Sequence, residues 1–164
     1  MEPPFALSID ARIAESVLRM LRADADLSGY FRVIAGYELE QLLLSSYPVP
    51  ALGVIIEATE ETRRGTTAEL ATQLLLPIVT QPIPTGTDSL AVWARSCVVE
   101  AVKKVLMIHR GAIPDYEDPE RWIAQALTRF ARLPIGTLHE GAHIVTPLRV
   151  TFYTDINQAT RETL

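Results

Sequence analysis

A chain of 164 residues with 48% apolar side chains can bury a full core within one domain, and its single cysteine excludes an intrachain disulfide framework. A formal net charge of −5 argues against broad affinity for nucleic acid, because phosphate binding needs clustered cations. No apolar run approaches the roughly 20 residues that span a bilayer. The acidic start MEPPFALSIDARIAESV offers no signal-peptide core, so no membrane role is expected and synthesis in the cytoplasm is.

Met1 to Leu7 is a short Pro-containing lead, read as mobile or docked on a neighbour. Ser8 is placed to cap a helix running to about Ala23. Ile9, Ile13, Val17 and Leu21 recur at intervals of four, with Leu18 and Met20 widening the stripe. Arg12, Glu15, Arg19 and Arg22 lie off the stripe and read as solvated. Asp24, Asp26, Ser28 and Gly29 are turn formers, and Tyr30, Phe31, Val33 and Ile34 suit a short strand. Tyr37 to Ser46 reads either as a short helix built on Leu39, Leu42 and Leu43 or as an irregular connection.

Pro48 and Pro50 break the pattern. Ala51 to Ala58 is β-branched and apolar, a buried strand. Thr59 to Gly65 reads as a charged turn, with Glu57, Glu60, Glu61, Arg63 and Arg64 solvated at or near it. Thr66 to Thr80 returns as a longer strand, with Pro77 marking a bend or an edge. The two strands make a long antiparallel hairpin.

The stretch from Asp88 to Arg110 is the organising helix. Asp88 can cap its first turn, Gly111 can take the left-handed conformation that closes it, and Pro114 stops any continuation. Leu90, Ala94, Cys97, Val98, Ala101, Val105 and Ile108 form one face. Val92, Val99, Val102 and Leu106 spread apolar surface round the cylinder. Arg95, Ser96, Glu100, Lys103 and Lys104 leave a narrow polar strip, so the helix is expected mostly buried on a sheet. Cys97 then reads as a small core residue, and His109 as a last-turn group facing the helix dipole. Trp93 and Trp122 read as core or intersubunit residues.

Asp118 and Pro119 read as the cap and first residue of a further helix carrying Trp122, Ile123, Ala126, Leu127, Phe130 and Ala131, with Pro134 and Gly136 ending it. Ile144 to Asp155 is the clearest strand: Ile144, Thr146, Leu148, Val150 and Phe152 alternate with Val145, Pro147, Arg149, Thr151 and Tyr153. The tail from Ile156 is polar and reads as loose. The fold class is therefore α+β, an antiparallel sheet with a long helix packed on it and additional peripheral helices, in a single domain over residues 1–164.

One motif invites catalysis. His139-Glu140-Gly141-Ala142-His143 fits H-E-x-x-H, which on a helix puts two imidazoles one turn apart to hold zinc while the glutamate polarises a bound water. That chemistry needs a helix. Pro134, Gly136 and Gly141 surround the motif, and a strand follows, so a turn and a chance match are the stronger reading. No metal or other cofactor is expected. No nucleophile elbow, phosphate loop or dinucleotide fingerprint occurs. The sequence thus points to a non-enzymatic protein. The alternatives are a small zinc hydrolase using His139, Glu140 and His143, or a binding module with a ligand between sheet and helix.

Four segments carry a resemblance: IDARIAESVLRML, the hairpin PALGVIIEATEETRRGTTAELATQLLLPIV, the helix SLAVWARSCVVEAVKKVL and the closing strand TPLRVTFYTDIN. Their order resembles the tail terminator (tail-completion, neck) proteins of long-tailed bacteriophages, over most of the chain and by element order rather than signature residues. Asp24 to Tyr47 is long for that family, and the Asp118–Ala131 helix reads as an insertion in it. The resemblance implies a ring, a hexamer, in the virion neck. The ring would cap the tail tube, stop its polymerisation and meet the head connector, with DNA passing through without specific binding. Its subunit contacts would fall on the outer faces of the hairpin and closing strand, at Arg63, Arg64, Arg149 and Tyr153.

Overall fold

A computed structural model describes residues 6–36, 48–82, 89–138 and 141–156, with only the backbone described for 89–92. The proposed Tyr37–Ser46 helix, the Asp88 cap, His139 and Glu140 lie outside the described residues, as does most of the lead and tail.

Helix α1 (Ile9–Ala23) forms as its periodicity demands, burying Ile13, Val17, Leu18 and Leu21. Its arginines are not all solvated. Arg12 pairs with the buried Asp115, and Arg22 donates to the Ile34 carbonyl at 2.7 Å. Ser16 is buried and accepts from the Tyr116 backbone N–H at 3.0 Å. These polar bonds fasten α1 to the segment after the long helix, about a hundred residues away in sequence.

The turn formers that follow begin a second helix, α2 (Ala25–Tyr30). The Asp24 carboxylate accepts from the Leu27 N–H at 3.0 Å, and burial of Leu27 holds the turn down. Tyr30 is therefore helical, and strand β1 is shorter, Val33–Gly36, pairing in parallel with the start of the next strand.

Strands β2 (Ala51–Arg64) and β3 (Thr67–Thr80) are 14 residues each. The expected charged turn at Thr59–Gly65 is strand almost to its end, with a bulge between Ile56 and Ala58. Backbone pairing with β3 decides the conformation there, while the exposed side chains are free to be charged. The chain reverses at Gly65 and Thr66. Gly65 sits at φ 64, the left-handed position that a two-residue hairpin asks of its first residue.

Helix α3 (Ser89–Leu106) follows. Its buried residues are Val99, Val102, Val105 and Leu106, while Trp93, Ala94, Cys97, Met107 and Ile108 are exposed. The expected face is rotated, and Cys97 is a free, exposed thiol rather than a core residue. A helix apolar nearly all round has no periodicity with which to choose its buried side. Its valines share one core with α1 and with Leu74, Leu76 and Ile78 of β3. Among the described residues α1, rather than α3, makes the closer backbone approach to the strands. Met107 to Gly111 form successive turns beyond the helix, with Arg110 and Gly111 both at positive φ. His109 thus lies past the last helical turn and meets the Trp122 ring edge-on at 5.4 Å.

The helix expected over Asp118–Ala131 is instead strand. β4 (Ile113–Pro114) and β5 (Trp122–Ala124) make a two-stranded ribbon. β6 (Ala126–Arg132) pairs antiparallel with the last strand, β8 (His143–Asp155), as does β7 (Gly136–Leu138). Leu127 and Phe130 lie opposite Phe152 and Val150, with a register irregularity between Leu127 and Arg129. That irregularity lets residues three apart share a sheet face, which imitates helical spacing in the sequence. Asp118 caps only a turn, its carbonyl accepting from Arg121 N–H at 2.9 Å.

The sheet order is β1-β2-β3-β8-β6, with β7 also on β8. Pro77 is neither at an edge nor the start of a strand. It lies opposite Pro147 in the interior of the β3–β8 ladder. Pro147, which has no N–H to give, sits where β6 has ended and β7 has not begun, and its carbonyl accepts from Leu133 N–H at 3.0 Å. One sheet face carries the main core with the helices. The alternate residues Ala51, Ile55, Val79 and Val145 form a smaller apolar cluster on the other. The result is a mixed fold: a mostly antiparallel sheet with three described helices.

Candidate subunit-contact surface

The outer face of β8 presents Arg149, Thr151 and Tyr153, because Leu148, Val150, Phe152 and Thr154 are turned into the core. Arg149 does not reach out freely. Its guanidinium grips Glu57 of β2 through two bonds, Nε to Oε2 at 2.8 Å and a terminal nitrogen to Oε1 at 2.5 Å, spanning the intervening β3. The Glu57 bond raises the Arg149 pKa above its already high value, so the guanidinium stays charged. Glu57 is the residue that the bulge between Ile56 and Ala58 leaves out of the ladder. Sequence reading grouped it with a solvated turn; nothing in a single sequence signals a partner 92 positions later.

The Tyr153 phenol has its pKa raised, chiefly by partial desolvation and then by the negative charge and hydrogen bond of Glu69. It is a neutral hydrogen-bonding group at ordinary pH. Arg63 and Arg64 end β2, beside the Gly65 turn. Arg63 pairs with Glu61 at 2.9 Å, two residues back on the same strand side. Arg149 and Tyr153 thus share one face, while Arg63 and Arg64, consecutive in a strand, point to opposite faces. The four residues do not converge on one spot.

Sequence reasoning missed a second exposed set. Trp93 on α3 and Ile135 between β6 and β7 are each about 60% exposed, and they line the same shallow cleft of about 270 Å³. Trp122, Met107 and Ile108 are exposed as well. Single exposed apolar residues are ordinary on protein surfaces; two lining one cleft are less so. A larger open cleft of about 380 Å³ lies between Ile78 and Thr80 of β3 and Ala94, Arg95 and Val98 of α3. It is at the small end of ligand sites, with Arg32 and Arg95 as its charged lining.

The H-E-x-x-H match loses its structural premise. Leu138 is paired with His143 across the β7–β8 hairpin, and His143 is the first residue of a strand, not the second ligand on a helical face. Among the described residues no group of three or more His, Cys, Asp or Glu could hold a metal ion. No described helix is long and apolar enough to cross a membrane.

No family model matches the chain, and no curated protein matches it. Among solved structures, its fold is similar to a chain from the virion of a native gene transfer agent particle. The TM-score is 0.54 at 11% identity, over 92% of this chain and 99% of that one.

Proposed function

We propose that the protein is a structural component of a virion and, more specifically, a tail terminator: a ring that caps the tail tube, halts its growth and joins it to the head connector. The observation that carries the reading is the near-complete mutual coverage with a chain of the gene transfer agent virion. An identity of 11% speaks for the fold alone. The virion role is supported by that likeness, and the finer assignment by the order of helix, hairpin, helix and closing strand.

In this reading the protein is not an enzyme, and its chemistry is that of surfaces. The ring, taken as a hexamer, would pass DNA through its lumen. A net charge of −5 suits transit without specific binding better than a basic lining would. Arg63, Arg64, Arg149 and Tyr153 remain the proposed contact residues, with Arg149 acting through its fixed pairing to Glu57.

The test is functional. Purified protein is added to tail tubes that are still elongating from tube subunits. Terminator activity stops elongation at stoichiometric amounts, leaving capped tubes of fixed length. Tubes that keep growing in its presence contradict the assignment.

A further inference from the structure

Among the described residues the sheet has two open edges, and they differ in charge. β1 covers β2 only from Ala51 to Val54, so the backbone edge of β2 is open from Ile55 to Arg64 among the described residues. The opposite edge is β6, which among the described residues pairs with β8 alone. The first edge carries Glu57, Glu60 and Glu61 before its tip arginines; the second carries Arg129 and Arg132. Glu60 and Arg129 are both exposed, and neither has a partner among the described residues.

Two geometric facts make the edges compatible. First, β2, β3, β8 and β6 are four strands in strict antiparallel alternation. An even number means that a copy related by rotation places its β2 antiparallel to the β6 before it, so the alternation continues unbroken. Second, the edges stand level. Reading across the ladders, Arg129 lies in a row with Thr151, Gln73 and Ala58, and Ala126 in a row with Tyr153, Ala71 and Glu60. Residues in one row share a sheet face, so Arg129 and Glu60 belong to the same, outer face. A level neighbour would set Arg129 opposite Ala58, with Glu60 at the diagonal position that long side chains reach.

We infer that the open edge of β2 receives the β6 edge of a second copy of this chain, joining neighbouring sheets by antiparallel strand pairing with Glu60 facing Arg129. The contact is head-to-tail, so it closes into a ring when the rotation per copy divides the circle. Charges and a bulge are also what a monomeric protein uses to keep a sheet edge unpaired. Opposite signs on two level, direction-matched edges favour pairing instead. The inference rests on the ring reading above and specifies the surface that closes the ring.

The experiment uses the full chain mixed with tail tubes, imaged by electron microscopy, with tube-bound protein measured by sedimentation. Glu60→Arg and Arg129→Glu each set like charges against each other and should weaken assembly on the order of tenfold or more. Their folds should be unchanged, because both side chains are exposed and unpaired among the described residues. The double variant Glu60→Arg/Arg129→Glu restores the opposite-sign pair and should recover ring formation. If wild type forms rings and either single variant assembles equally well, or the double variant fails to recover, the edge pairing is overturned while the ring reading stands. If wild type forms no ring on tubes, both are overturned.

Discussion

Arg149 and Glu57, on strands separated by a third, are locked together in a two-bond ion pair on the outer sheet face. The pair is about one-third exposed on each side, 31% and 29%. It should therefore contribute little to stability, because solvent screens a pair this exposed. Glu57→Ala is expected to lower the denaturation midpoint slightly. Arg149→Glu should do more, by facing two carboxylates, and Glu57→Arg/Arg149→Glu should regain most of the loss. Urea unfolding of the four proteins checks this.

Arg12 and Asp115 form a more enclosed pair, with side-chain exposures of 18% and 6%. The second Asp115 oxygen accepts from the Glu117 N–H at 3.1 Å. Asp115→Ala leaves the half-buried Arg12 guanidinium with only its longer contact to the exposed Glu117, at 3.5 Å, and strands an amide, and should cost about 2–4 kcal/mol. It should also free α1 from the 113–117 segment, visible as faster hydrogen exchange in both. Equal stability of Asp115→Ala and wild type would show that this bond does not fasten α1.

Gly111 combines φ 87 with a close approach to β6: an added Cβ would lie 2.9 Å from the Leu127 backbone nitrogen and from its Cβ. Gly111→Ala is therefore strained twice, in its own backbone and against a strand that cannot give way without disturbing its pairing to β8. A loss of about 1–3 kcal/mol is expected in thermal or chemical unfolding. Gly29→Ala, where nothing lies within 4 Å, is the control and should be near neutral or stabilising in its helix.

Cys97 is exposed on α3. Native protein should react with a thiol reagent at about the rate of the unfolded chain, and Cys97→Ser should leave stability within ~0.5 kcal/mol. Thiol labelling followed over time measures this. A thiol that reacts only after denaturant is added would place α3 in the orientation its sequence suggested.

That difference shows where sequence was informative. α1 and β8 each have one wet and one dry side, and the alternation of Leu148, Val150 and Phe152, like the four-residue spacing of Ile13, Val17 and Leu21, is legible by inspection. α3 is apolar round most of its circumference, so the choice between Val98 and Val99 as the centre of its buried face is made by packing. The segment holding β6 misled because Ile123, Ala126, Leu127 and Phe130 mimic a helix, while its true determinant, an unpaired edge of β8, lies some twenty residues downstream. The proposed contact residues were legible only as exposed polar positions. The Arg149–Glu57 bond, the Tyr153–Glu69 interaction and the opposed charges of the two sheet edges arise from strands brought side by side, which no local pattern encodes.

A tail terminator is defined by its place and assembly in a particle. A reconstruction of intact virions by electron cryomicroscopy, at a resolution that traces backbone, tests it most directly. A tail terminator appears there as a closed ring of this chain between the head-proximal end of the tail tube and the head connector. Finding it in the capsid, at the distal tip or along the tube, or finding that purified virions lack it, would rule out a tail terminator.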